Sequence, residues 1–168
     1  MASKVALDDR VEIEELIARY AWALDTGDLD GYVACFVEDG WVEHPPEGRC
    51  VGREGLRRLT ESLWYSQPNR YLGRQHQMSQ IIMTREDGDV RIRCFWSILQ
   101  QDAETQQCFV FALGSWDTIA TRAEDAQWLF RSIMVDLWRK NGVPWVGDRR
   151  AFTEKALVAP VPVKAGGA

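Results

Sequence analysis

The sequence predicts an α+β domain, with helices first and an antiparallel meander after them, the helices packed on one face of a curved sheet. Three observations carry this. Apolar residues recur with helical spacing between Ile13 and Leu24, they alternate with period two in the second half, and clusters of turn residues break that half into strands.

The opening helix is expected to start at Asp9, an N-cap residue with Glu12 three positions on. Ile13, Leu16, Ile17, Tyr20, Ala21 and Leu24 form its buried face. Thr26-Gly27-Asp28 ends it and caps a short second helix with Leu29, Tyr32, Val33 and Phe36 inward. Glu38-Asp39-Gly40 turns the chain into a strand over residues 41–44, and Pro45-Pro46-Glu47-Gly48 forms a loop. A third helix is read over residues 53–64, with Leu56, Leu59 and Leu63 inward.

The period then changes. Residues 75–84 read as a strand, and Glu86-Asp87-Gly88-Asp89 as a hairpin turn. Val90, Ile92, Cys94, Trp96 and Ile98 alternate with Arg91, Arg93, Phe95, Ser97 and Leu99. Residues 101–105 are a turn, 108–120 a strand, 123–125 a turn and 128–138 the last strand. Residues 1–152 are expected to form a single domain. Residues 153–168, with Pro160-Val161-Pro162 and Ala165-Gly166-Gly167-Ala168, read as a loosely ordered tail.

Composition excludes several functions. The 168 residues hold 20 basic and 25 acidic side chains, a net charge of −5, which argues against a nucleic-acid surface. No apolar run approaches the ~20 residues of a membrane helix. Met1-Ala2-Ser3-Lys4 leads into an acidic stretch without a signal-peptide core. The expectation is a cytoplasmic protein with no membrane partner. Cys35, Cys50, Cys94 and Cys108 show no CxxC or zinc spacing and read as small buried hydrophobes. Without a Gly-rich phosphate loop or a metal constellation, no cofactor or metal is expected.

Few residues suit proton chemistry. His44 and His76 are the two histidines, the side chains best matched to proton transfer near neutral pH. Asp25 sits at the C-terminal end of the first helix, where a negative charge opposes the helix dipole. It either bonds its own backbone within Asp25-Thr26-Gly27-Asp28 or has a compensating partner elsewhere. His76 lies on a strand face with Met78, Gln80 and Ile82, and His44 ends a strand beside two prolines. Spacing alone does not bring these groups together.

The stretch from Asp9-Arg10-Val11-Glu12 to Ala23-Leu24-Asp25-Thr26-Gly27-Asp28 resembles the opening helix of the nuclear transport factor 2-like superfamily. Within it the stretch is most similar to the polyketide-cyclase (SnoaL-like) and scytalone dehydratase-like group. Tyr32 to Gly40, Gly52-Arg53-Glu54-Gly55-Leu56 and Arg74-Gln75-His76-Gln77 fit the same group. The resemblance implies a cone-shaped α+β barrel, with the helices packed in a curved antiparallel or mixed sheet. It places Asp25 and His76 at the positions of an Asp–His dyad, Tyr20 at a tyrosine of the bile acid dehydratase group, and His44 at a substrate-facing position. No third histidine exists where scytalone dehydratase has one. Cys94, Trp96 or Ser97 stands there instead, which argues against scytalone itself as the substrate.

The activity so implied is that of a cofactor-independent lyase or isomerase, with dehydration of a hydrophobic cyclic substrate as the chosen reaction. His76 would take the proton, Asp25 would orient it, and Tyr20 and His44 would hydrogen-bond the oxygen that gains charge. Trp22, Trp41, Trp64, Met78, Trp96 and Trp116 are the candidate pocket walls. The small-molecule substrate is the expected partner, together with further copies of the chain, a trimer being favoured over a dimer. Two other readings are an epoxide hydrolase, searched among Arg93, Asp117, Arg131 and Asp136, and a non-catalytic subunit like the small one of ring-hydroxylating dioxygenases.

Overall fold

The computed structural model describes residues 4–45, 47–66, 73–102 and 104–138. The first helix, α1 (Leu7–Thr26), buries Ile13, Leu16, Ile17, Tyr20, Ala23 and Leu24, the i, i+3, i+4 face that its sequence dictates. Each of its Ile and Leu side chains contributes roughly 1.5–3 kcal/mol by leaving water. The expected start at Asp9 is corrected. The N-cap is Ala6, and no side chain caps the helix. Asp9 instead accepts a hydrogen bond from Arg122 Nη2 at 2.5 Å and another from Trp128 Nε1 at 3.3 Å, and it pairs with Arg85. A carboxylate in the first turn already meets the positive end of the dipole, so this one is available to tie the helix to the sheet.

Gly27, at φ 79°, ends α1 in the left-handed region as expected, and Asp28 caps α2 (Leu29–Ala34) by accepting the Gly31 N–H at 2.9 Å. Phe36 does not belong to that helix. It opens β1 (Phe36–His44), buried opposite Phe130, so the strand starts earlier than the expected residue 41. The segment expected to turn, Glu38-Asp39-Gly40, is taken up as an irregularity in the β1 register. A strand absent from the expectation, β2 (Gly48–Val51), folds back on β1 from His44–Gly48 to Trp41–Val51. Then follow α3 (Gly52–Tyr65), β3 (Gln75–Glu86), β4 (Asp89–Gln101), β5 (Cys108–Arg122) and β6 (Trp128–Leu137). The β3–β4 hairpin turns at Asp87 and Gly88, both at positive φ, as an Asp-Gly pair favours.

The strands form one six-stranded sheet in the order β2-β1-β6-β5-β4-β3. All neighbours are antiparallel except β1 and β6, so the sheet is mixed. Among the described residues it is open: β2 and β3 are its edges and do not pair with each other. The expected barrel is therefore an unclosed sheet whose hollow the helices fill, α1 against β3 and β6, α3 against β1 and β2. On the inner face Val90, Ile92, Cys94, Trp96 and Ile98 are 7% exposed or less, as their alternation requires.

The outer face stays apolar as well. Ile82, Phe95, Leu99, Leu113 and Met134 are 39–53% exposed. Of the cysteines, Cys35 and Cys94 are buried, Cys50 is half-buried and Cys108 is exposed, which corrects the expectation for Cys108. It stands at the first residue of β5, where the strand shows exposed residues through Phe111. Among the described residues no helix is long and apolar enough to cross a membrane. The expected domain end at residue 152 and the tail over 153–168 lie outside the described residues.

Candidate active site

Asp25 is the penultimate residue of α1, with its carboxylate at the unfavourable end of the helix dipole. Its partner comes from the sheet rather than from its own turn. The backbone N–H of His76 donates to Asp25 Oδ2 at 2.7 Å, and the ring Nδ1–H donates to Oδ1 at 2.5 Å. The local capping role falls to Asp28 instead. Both side chains are largely buried, His76 at 8% and Asp25 at 15% exposure. A carboxylate only accepts hydrogen bonds, so Nδ1 carries the proton in this contact. The neutral ring then keeps an acceptor lone pair on Nε2.

His76 lines a cavity of about 50 Å³ between the helices and the inner face of the sheet. Tyr20, His44, Trp96 and Trp116 share its wall. Tyr20 is 4% exposed and meets Trp116 edge to face, with ring centroids 5.0 Å apart and planes at 86°. His44 is placed by β1, whose even positions Val42 and His44 face inward. Its Nδ1 lies 2.7 Å from Glu47 Oε2. Two imidazole–carboxylate pairs therefore serve one cavity. The sequence reading missed Glu47, although its i+3 position across the proline turn was visible. It also missed Tyr32, an inward position of α2 that lines the same cavity.

Four expected wall residues lie elsewhere. Trp22 is 74% exposed, because two residues beyond Tyr20 is roughly 200° around a helix. It borders a groove of about 420 Å³ between α1 and α2, with Arg19 and Asp28. Trp41 has the opposite parity to His44 on β1 and carries the Arg49 guanidinium 3.9 Å over its ring. Trp64 is buried, but its Nε1 donates to the Leu24 carbonyl at 3.0 Å and ties α3 to the end of α1 beside Asp25. Met78 is partly buried against the core without lining the cavity.

The epoxide hydrolase set is also displaced. Arg93, Asp117 and Asp136 border a groove of about 530 Å³ that is lined mainly from the outer side of the sheet and contains neither Asp25 nor His76. Asp117 is held there by Arg91, whose Nε donates to Oδ1 at 2.7 Å, and Arg131 pairs with Asp89 at 3.6 Å. This groove is larger than the cavity at His76. The chemistry favours the smaller site, since only that one joins a buried acid to an imidazole. Among the described residues no group of three or more His, Cys, Asp or Glu side chains is placed to hold a metal ion.

Comparison with known proteins agrees with this fold. The family model for the SnoaL-like domain matches residues 5–133, and the chain belongs to that family. The fold is shared with an NTF2-like protein of cystatin-like fold from Novosphingobium aromaticivorans, at 25% identity over 78% of this chain and 82% of that one, with a TM-score of 0.67. ActVI-ORFA from Streptomyces coelicolor aligns at 22% identity over 76% of this chain and 96% of its own, with a TM-score of 0.69. A scytalone dehydratase candidate from Novosphingobium aromaticivorans aligns at 19% identity, over 79% and 86%, with a TM-score of 0.67. Among curated proteins none matches the chain.

Proposed function

We propose that this SnoaL-like chain is a cofactor-independent lyase that dehydrates a hydrophobic cyclic substrate of polyketide, steroid or aromatic type. The observation that carries the reading is the two-point hold of Asp25 on His76 at the wall of an aromatic cavity. His76 Nε2 takes the proton from the carbon next to a ring carbonyl. The C–H pair becomes a C=C bond, and the β-hydroxyl leaves as water, taking a proton from His44 or Tyr20. Asp25 fixes the tautomer of His76 and stabilises its cation once it is protonated. General-base help of this kind contributes about 10²- to 10⁴-fold.

The cavity holds roughly one or two waters in this conformation. Binding a ring therefore requires its side-chain walls to move apart. A second copy of the chain is the proposed partner for the outer sheet face. Supporting this, Ile82, Phe95, Leu113 and Met134 are exposed there together, with Arg93 and Asp136 as charges of opposite sign bordering the groove there. The resemblance implies three copies in the assembly. Cysteines that form no disulfide among the described residues fit a cytoplasmic setting.

The test is conversion of cyclic β-hydroxy ketones by purified protein without added cofactor, read as the ultraviolet absorbance of the conjugated enone. Enone formation that disappears in His76→Ala supports the proposal. Ketones recovered unchanged across a panel of one- to four-ring substrates contradict it.

A further inference from the structure

We propose that Trp96 donates its indole N–H to a carbonyl oxygen of the molecule that occupies the cavity, and holds that oxygen as it gains enolate character. The proposal rests on reading this cavity as the active site, and it names the group that recognises the substrate there. Trp96 is 5% exposed and lines the cavity beside His76. Its Nε1 is buried without a hydrogen-bond partner among the described residues. An indole N–H only donates, and a buried donor left unpaired is costly, so folded proteins rarely leave one.

Two other indoles find their acceptors within the fold. Trp64 Nε1 donates to the Leu24 carbonyl at 3.0 Å, and Trp128 Nε1 to Asp9 Oδ1 at 3.3 Å. Thr118 Oγ1 and Trp138 Nε1 are also buried without a partner among the described residues, but neither residue lines the cavity that holds His76. Trp96 is also held in place. Its cross-strand neighbour on β5 is Gly114, and a Cβ there would lie 2.2 Å from Cζ2 and 2.4 Å from Cε2 of the indole. The ring thus rests on bare backbone, which fixes the position of its N–H edge while the facing side chains move to admit a ligand.

Nδ1 of each neighbouring imidazole is already held, His76 by Asp25 and His44 by Glu47. The occupant that matches is a group with an acceptor oxygen on an apolar ring. A cyclic ketone has this chemistry, and its oxygen gains negative charge when His76 removes the adjacent proton. A lone water in the cavity would also satisfy the donor, so the experiment must separate the two.

The test uses cyclohexanone and methylenecyclohexane, rings of similar shape of which only the first has an acceptor. The indole ¹⁵N–¹H signals of uniformly labelled protein are followed on titration, with the Trp96 signal assigned through its own backbone spin system and checked by its loss in Trp96→Phe. The expected result is a downfield shift of the Trp96 proton with cyclohexanone and none with methylenecyclohexane. Trp96→Phe is expected to weaken cyclohexanone about 10-fold, or ~1.4 kcal/mol, and to leave methylenecyclohexane within about twofold. Because the titration uses unaltered protein, it stands even where the variant fails to fold. A Trp96 signal that ignores cyclohexanone, through lack of binding or through a retained water, overturns the proposal, as does an equal response to both rings. Trp96 responding as expected while His76→Ala stays active would sink the lyase reading and leave the donor standing.

Discussion

His76 touches Asp25 twice, once through its backbone N–H at 2.7 Å and once through ring Nδ1 at 2.5 Å, across a separation of 51 residues. One carboxylate thereby fixes both where β3 begins and which way the imidazole faces. Asp25→Asn keeps the size but loses the charge, and its amide group cannot accept at both positions. Turnover in the enone assay is expected to fall by about 10²- to 10⁴-fold, with far-ultraviolet circular dichroism unchanged.

Asp9 gives the fold an acid-sensitive fastening. The hydrogen bond from Arg122 holds its carboxyl below the usual carboxylate range, aided by the Trp128 bond and by the charges of Arg85 and Arg122, against the opposing effect of burial. A folded pKa below the unfolded one of about 3.9 means stability that is present above that pH and is lost as pH falls through the folded value. Asp9→Asn should destabilise by roughly 1–3 kcal/mol near neutral pH. The gap between variant and parent in urea midpoints should close below about pH 4. A gap that persists at low pH contradicts this account.

Burial pushes the Cys35 thiol up to about 11 and the Cys94 thiol up to about 12. Both stay protonated and shielded at neutral pH, whereas Cys108 is exposed. Iodoacetamide at pH 8 should label Cys108 first, and peptide mass spectrometry should find Cys35 and Cys94 unmodified until the protein is unfolded.

Met134 stands 46% exposed on the outer sheet face. Met134→Glu would place a charge among apolar neighbours and, if copies of the chain pair through this face as proposed, should yield a monomer in light scattering where the parent is larger, with the inner cavity unaffected. An unchanged mass contradicts the proposed pairing through this face.

Gly114→Ala tests the packing that holds Trp96. The new Cβ would lie 2.1 Å from the Asp136 carbonyl oxygen as well as against the indole. A loss of about 1–3 kcal/mol in stability is expected from such overpacking, together with a changed near-ultraviolet dichroism signal from the displaced tryptophan.

Much of this fold was legible because period two is a rigid rule. Val90 through Ile98 face inward at every second residue, and the structure buries each of them. The N-cap reading failed because a local rule placed Asp9 at a cap, while Arg85, Arg122 and Trp128, distant in sequence, claimed it. β2 was too short, at four residues, to show any alternation. Trp22 and Trp41 could have been removed from the cavity wall by helix angle and strand parity, had bulk not outweighed geometry. The Asp25–His76 contact was not legible in the spacing, since nothing local links residues 51 apart. The resemblance to a known family supplied that pairing.

The proposed lyase chemistry turns on removal of a carbon-bound proton by His76. Deuterium uptake at the carbon next to the carbonyl of 1-tetralone, followed by mass spectrometry in D₂O, measures this step without knowledge of the natural substrate. Exchange by the parent protein well above the buffer rate is expected, with a return to that rate in His76→Ala. Exchange by His76→Ala at the parent rate would contradict it.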